Sequence, residues 1–290
     1  MALRILHLSD FHYKDSHDSD FISIGQKIAN SIKDIQIDLV VFSGDLVFDA
    51  KDIMKLNKAA KCFIEPIQQT TGLDNSRFLL APGNHDMQRD AEKPMVDETL
   101  ANYGSVAQIN YFCSHSGQLA DSLENFKNYN GFIKEFYKNC MNVEQLYTYS
   151  VCEIKDKRIG LIAFNSAWRC KDSKKDRGKL LYPVFMIQEA FEKVKDCDFI
   201  ICTQHHNISD FADFVAQDIE DEINEHCHVL FTGHYHKGSI QTTHDSEIGL
   251  LHLAAPATYN RNDKDSQYGF NILEIDETSF EGAFNNIYKT

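Results

Sequence analysis

Arg77-Phe78-Leu79-Leu80-Ala81-Pro82-Gly83-Asn84-His85-Asp86 is an apolar run that stops at Pro-Gly and then presents three consecutive side chains able to bind a metal or move a proton. The pattern predicts a strand feeding a functional loop. Phe78 to Ala81 suit a buried strand, and Pro82 and Gly83 end it by fixing one φ and freeing the next. In open α/β sheets, ligands gather beyond the carboxyl ends of such strands. Taken alone, Asn84, His85 and Asp86 also fit an ordinary turn, because Asn and Asp bond locally to their own backbone. Repetition favours a shared site. Ile5-Leu6-His7-Leu8-Ser9 is followed by Asp10-Phe11-His12; Leu39-Val40-Val41-Phe42-Ser43 by Gly44-Asp45; Phe199 to Gln204 by His205-His206; and Val229 to Thr232 by Gly233-His234-Tyr235-His236. Every one of these runs ends in oxygen or imidazole donors.

The strand-like runs are separated by helix-like ones. Ile22, Ile24, Ile28, Ile32 and Ile35 recur at near-helical spacing, and Asp52 suits the cap of a helix reaching about Gln69 with Ile53, Leu56, Ala60, Phe63 and Ile64 inward. From Met87 to Tyr149 no strand stands out, and Leu119 to Cys140 reads as one helix. Two readings of about 87–150 stay open: a helical cap over the site, or a packing layer of the ordinary fold. Strands follow at Arg158 to Asn165, Asp198 to Thr203, His228 to Phe231, Leu250 to Ala254 and Phe270 to Ile275, with helices at about Val184 to Lys195 and Asp210 to Asn224.

The 290 residues, 43% hydrophobic and 25% charged, suit a globular α/β chain; because the donors run from Asp10 to His236 and must meet, 1–290 reads as one domain. A net charge of -14 does not suit binding through a broad basic surface, although a metal pair holds phosphate locally. The basic loop Trp168 to Leu181, with Arg169, Lys171, Lys174, Lys175, Arg177 and Lys179, reads either as a phosphate contact or as a solvated loop. The eight cysteines form no Cys-x-x-Cys pair and read as free thiols of a cytoplasmic protein. No apolar run reaches the length of a membrane span, and there is no room for a signal peptide ahead of the first strand.

The ordered blocks Asp10-x-His12, Gly44-Asp45, Gly83-Asn84-His85-Asp86, His205 and Gly233-His234-x-His236 resemble the signature of the calcineurin-like metallophosphoesterases. The resemblance implies a four-layer α/β/β/α sandwich and a dinuclear centre of divalent ions such as Mn, Fe, Zn or Ni, which carboxylate, amide and imidazole donors suit. It implies Asp45 as the bridging ligand, Asp10, His12 and His236 at one metal, and Asn84, His205 and His234 at the other, with His205 chosen over His206. A neutral Asn84 would limit the negative charge of the ligand set. The same resemblance implies a hydrolase working through a metal-bridging hydroxide, with His85 as a catalytic non-ligand. Asp86 either orients the His85 imidazole or stabilises the loop.

The wording of the blocks is similar to the cyclic-nucleotide phosphodiesterase branch, which implies a small nucleotide diester as substrate. Two alternatives accompany it: a DNA nuclease of the Mre11 type, and the catalytic module of a larger bacterial sensor-ATPase protein. A scaffold with a decayed site fits poorly with an intact donor set. The chain is compatible with an oligomer.

Overall fold

The computed structural model describes residues 2–88, 100–171, 176–243, 249–259, 269–276 and 282–288. Two sheets carry the fold. The first takes β1 (Leu3–Leu8), β2 (Leu39–Phe42), β3 (Phe78–Leu80), β11 (Gly269–Ile275) and β12 (Gly282–Tyr288) in the order β12-β11-β1-β2-β3. The second takes β4 (Asn142–Val143), β5 (Tyr147–Ile154), β6 (Lys157–Phe164), β7 (Phe199–Thr203), β8 (Val229–Thr232), β9 (Ser239–Thr243) and β10 (Leu250–Ala254) in the order β4-β5-β6-β7-β8-β10-β9. In the first sheet β1, β2 and β3 are parallel, and in the second β6, β7, β8 and β10 are parallel. Their near-continuous apolar runs follow from this, since a strand covered on both faces has no polar side to alternate with.

Helices cover the outer faces, giving the four-layer α/β/β/α sandwich. On the first sheet lie α1 (Asp18–Ile32) and α2 (Ile53–Thr71); the second sheet carries α6 (Val184–Glu192) and α7 (Asp213–His226). The two inner faces meet in one apolar core, where the His7 imidazole of β1 lies 4.6 Å from the Phe231 ring of β8. Asp52 caps α2 by accepting from the Met54 N–H at 2.9 Å, as its position ahead of the apolar stripe predicts. The inward face of α1 is carried by Phe21, Gly25, Ile28, Ala29 and Ile32, while Ile22 is 43% exposed. Ile28 and Ile32 lie on that face and Ile24 and Ile35 pack against the core, so of the isoleucine stripe Ile22 alone departs. Gly25 sits where α1 crosses α2, and a Cβ there would stand 1.9 Å from the Cys62 carbonyl oxygen.

The expected helix from Leu119 to Cys140 is broken. It divides into α4 (Ser116–Ser122), a 3-10 turn at Glu124–Phe126 and α5 (Lys127–Tyr137), preceded by α3 (Val106–Ser114). The break serves tertiary bonding: the Asn125 carbonyl accepts the Gln88 N–H at 2.8 Å, and Asn128 donates to the Ala50 carbonyl at 2.8 Å. Further along, the Tyr137 hydroxyl donates to the Phe78 carbonyl and accepts from the Leu80 N–H, both at 2.9 Å. Of these helices α5 packs along α2 and meets β3 through Tyr137, while α3 touches α6; residues 89–99 of the expected cap lie outside the described residues. Among the described residues no helix is long and apolar enough to cross a membrane.

Candidate metal centre

Five parallel strands, β1, β2 and β3 of one sheet and β7 and β8 of the other, deliver their carboxyl ends to the same edge of the sandwich. The loops beyond them are tied to each other by backbone bonds: Asp10 N–H to the Gly44 carbonyl at 2.9 Å, His12 N–H to the Asp45 carbonyl at 2.9 Å, and Gly233 N–H to the His205 carbonyl at 3.0 Å. Gly83 lets two of these loops touch, because a Cβ on it would lie 2.1 Å from the Asp45 Oδ1 atom. At Gly233 a Cβ would lie 2.0 Å from Ser9 Oγ.

All seven residues expected as metal donors come together there. In the first group, Asp10 Oδ1 lies 3.1 Å from His236 Nε2 and 3.5 Å from His12 Nε2, and those two imidazole nitrogens are 3.3 Å apart. The second group places Asn84 Oδ1 3.1 Å from both His205 Nε2 and His234 Nδ1. Asp45 stands between the groups, with Oδ2 at 3.3 Å from His205 Nε2 and 3.7 Å from His12 Nε2. Its Oδ1 accepts the His85 N–H at 2.7 Å.

The donor set fits divalent cations on an observation internal to the chain. Asp10 Oδ1 is buried and accepts no hydrogen bond, although it faces two imidazole nitrogens. A buried carboxylate oxygen without a donor is costly unless a cation takes that place. Carboxylate, amide and imidazole donors suit ions of intermediate hardness. The orienting bonds behind the donors are also present: His205 Nδ1 donates to the Ser43 carbonyl at 2.7 Å, which turns its Nε2 lone pair to the site.

The backbone is strained at this place. Among the described residues eight non-glycine residues have positive φ, and five of them are Asp10 (56°), His12 (50°), Asp45 (61°), His234 (71°) and His236 (56°). Each such residue costs about 1–2 kcal/mol relative to ordinary backbone. Five of the eight are donors, so the left-handed backbone is concentrated where the loops converge.

The charges shift one another. Burial would raise the Asp10 and Asp45 carboxyls, but the imidazoles outweigh it and hold both below the usual range: His12 and His236 act on Asp10, His205 and His85 on Asp45. Burial would lower His205, but the Asp45 carboxylate outweighs it and raises the imidazole to about 9. His234 is lowered by burial and by His205.

His85 stands at the mouth, half-buried, with its Nδ1 2.8 Å from the Phe48 carbonyl and its ring centroid 4.7 Å from that of His12. Asp86 does not orient it. The Asp86 Oδ2 atom accepts from the N–H groups of Asp45 (2.8 Å) and Gly83 (2.9 Å), and Oδ1 accepts from Val47 (3.0 Å). Of the two roles open for Asp86, the geometry supports a clamp between the 45–47 and 83–86 loops, and its expected catalytic part is corrected accordingly. Burial and the neighbouring Asp45 carboxylate push the Asp86 carboxyl up to about 7, against these backbone donors.

His206 lies close to the second group, with a ring nitrogen within 4.8 Å of donor atoms of His205 and His234, but both its nitrogens already face other partners: Nδ1 lies 3.0 Å from Ser166 Oγ and Nε2 3.5 Å from Cys170 Sγ. Sequence reasoning passed over Asp210, which ties three segments together. Its backbone carbonyl accepts from Lys179 and Leu180 N–H at 3.1 Å, and its carboxylate accepts from the Asn207 N–H and the Tyr235 hydroxyl. Through it the carboxyl end of the basic loop is fastened to the loop carrying His234 and His236; Lys174 and Lys175 lie outside the described residues. The only available signal was that Tyr235 lies between two donors.

Comparison with known proteins agrees with this geometry. A family model described as calcineurin-like phosphoesterase matches residues 3–238. The curated "Uncharacterized metallophosphoesterase-like protein YydB" of Bacillus subtilis (strain 168) is 22% identical over 274 residues, covering 89% of this chain and 54% of that protein. The chain thus spans about half the length of that relative. Among solved structures, a dimetal phosphatase from Danio rerio superposes with a TM-score of 0.53 at 9% identity, covering 98% of this chain and 95% of that one. The purple acid phosphatase PPD1 from yellow lupin seeds gives 0.54 at 14% identity, with 99% and 52% covered. A 5'-nucleotidase from Candida albicans gives 0.51 at 16%, with 99% and 51% covered. At these identities the likeness is one of fold.

Proposed function

This chain belongs to the calcineurin-like phosphoesterase family, hydrolases with a dinuclear divalent metal centre, and from that premise we propose that it is a phosphodiesterase acting on a nucleotide or cyclic-nucleotide-like diester. The observation that carries the reading is the seven-donor cluster with His85 and the Phe48 ring beside it at the mouth. An imidazole and a phenyl ring suit a monoanionic diester bearing a planar group.

In this reading Asp10, His12 and His236 would hold one cation and Asn84, His205 and His234 another, with Asp45 available to both. When bound, the ions supply Lewis acidity toward a phosphoryl oxygen and bring the pKa of water toward neutrality. The chain's own residues do the rest. The Ser43 carbonyl keeps His205 in one tautomer, and the Phe48 carbonyl does the same for His85. With Nδ1–H so engaged, His85 in its imidazolium form carries its second proton on Nε2; as the new P–O bond to water forms and the P–O bond to the leaving group breaks, that proton passes to the leaving alkoxide and the neutral Nδ1–H tautomer remains. The clamp at Asp86 keeps Asp45 and His85 in register.

In the B. subtilis relative the matched unit is joined to nearly as much chain again, which supports modular use of this fold. The proposal is tested with bis-p-nitrophenyl phosphate, p-nitrophenyl phosphate, cyclic nucleotides and duplex DNA, each with several divalent metals. We expect metal-dependent hydrolysis of small diesters that changes little between about 50 and 200 mM salt. Efficient DNA degradation with poor turnover of cyclic and chromogenic diesters would replace this reading with the nuclease one.

A further inference from the structure

Phe48 is not a donor, yet it stands beside them. Its ring centroid lies 4.9 Å from that of His85 and 6.4 Å from that of His12, and the residue is 42% exposed. The neighbouring aromatic residues Phe11 and Tyr13 are fully buried. A single exposed phenylalanine is ordinary on a protein surface. This one is held in place, because its own carbonyl bonds His85 and its ring leans on two imidazoles of the site.

The face of the ring already takes a ligand of the chain's own. The Lys14 ammonium lies 3.8 Å from the Phe48 centroid, a cation–π contact. Lys14 makes no ion pair among the described residues, in a protein of net charge -14. A flexible stem over an aromatic face is an exchangeable cover: a planar group stacks on the same face more extensively, and the ammonium is then available to an anion beside it.

We propose that Phe48, covered by Lys14, is the platform on which the nucleobase of the substrate stacks, so that this ring sets the preference for nucleotide diesters over alkyl ones. The inference rests on the phosphodiesterase reading for the chemistry, but base stacking is separable from hydrolysis. Base–aromatic stacking tolerates any base, so the platform selects for a base without selecting which one.

The test uses Phe48→Leu, which keeps apolar bulk without a π face, and Phe48→Trp, which enlarges the face. Adenosine, having no phosphate, is titrated into each protein by calorimetry. In parallel, kcat/KM is measured for a cyclic nucleotide and for glycerophosphoethanolamine. We expect Phe48→Leu to weaken adenosine binding and to lower the ratio of nucleotide to alkyl kcat/KM by about 5- to 100-fold, mainly through KM, and Phe48→Trp to restore both. A ring that merely props His85 would lower kcat on both substrates together, and that result overturns the proposal. So does adenosine binding that is undetectable in the parent protein or equal in Phe48→Leu. If the parent hydrolyses no nucleotide, the functional reading fails, while adenosine binding lost in Phe48→Leu still upholds the platform.

Discussion

Replacing Asp86 by Ala removes the acceptor for three backbone N–H groups at once, those of Asp45, Gly83 and Val47, at 2.8–3.0 Å in a fully buried place. Each buried donor left without a partner costs about 1–3 kcal/mol. Relief of the repulsion between the Asp86 and Asp45 carboxylates offsets part of the sum. A net loss of about 3–6 kcal/mol follows, a large share of the 5–15 kcal/mol that typically holds a domain together. The clamp also sets the left-handed backbone of Asp45, so the metal donors lose their register. Urea unfolding measures the first effect, and metal titration followed by elemental analysis measures the second. Asp86→Asn sharpens the comparison, since its one oxygen can serve one side of the clamp while its amide opposes an N–H on the other. A variant with an unchanged unfolding midpoint and full metal content, yet turnover reduced about 100-fold, would refute the clamp and return Asp86 to a catalytic role beside His85.

Two further perturbations bear on separate parts of the structure. His85→Ala should keep its metal content and lower kcat by a factor of about 10² to 10⁴, as loss of general acid–base help does; loss of metal in elemental analysis would place His85 among the ligands. His252, paired through Nε2 with the Thr232 hydroxyl at 2.8 Å, is pushed by burial down to about 4 from an ordinary 6.5. The unfolded chain therefore takes up its proton first as pH falls, and stability present above pH 6.5 declines between there and about 4, by about 3 kcal/mol for this residue. Urea midpoints across that window should fall less steeply in His252→Gln, and identical slopes would show that His252 takes up its proton alike in the folded and unfolded chain.

The parts legible in the sequence were those written locally. An apolar run ending in Gly, Asp or His reads as a buried strand delivering donors, and all seven donors meet where such ends converge. The strand β5 was missed because Tyr147, Thr148, Tyr149, Ser150, Val151, Cys152 and Glu153 mix apolar and polar residues along a half-covered strand. The strand β9 has Ile240 as its one apolar residue and is exposed along nearly its whole length, so it carries no strand pattern. The choice of helix face at Ile22 and the break between Ser122 and Lys127 depend on partners far away in sequence. The same holds for Asp86, whose acceptors and donors are joined only when the 45–47 and 83–86 loops meet. His205 and His206 are indistinguishable as neighbours; what separates them is the Ser43 carbonyl behind one and Ser166 behind the other.

We propose that one carboxylate, Asp45, serves two cations on which hydrolysis depends. Elemental analysis of the protein and of Asp45→Asn, after loading with Mn, Fe, Zn or Ni and removal of excess metal, tests it directly when joined to turnover of bis-p-nitrophenyl phosphate on the same samples. Two ions per chain are expected in the parent protein, and in Asp45→Asn a coupled loss of metal and activity. Two tightly held ions with near-normal turnover in Asp45→Asn would contradict it.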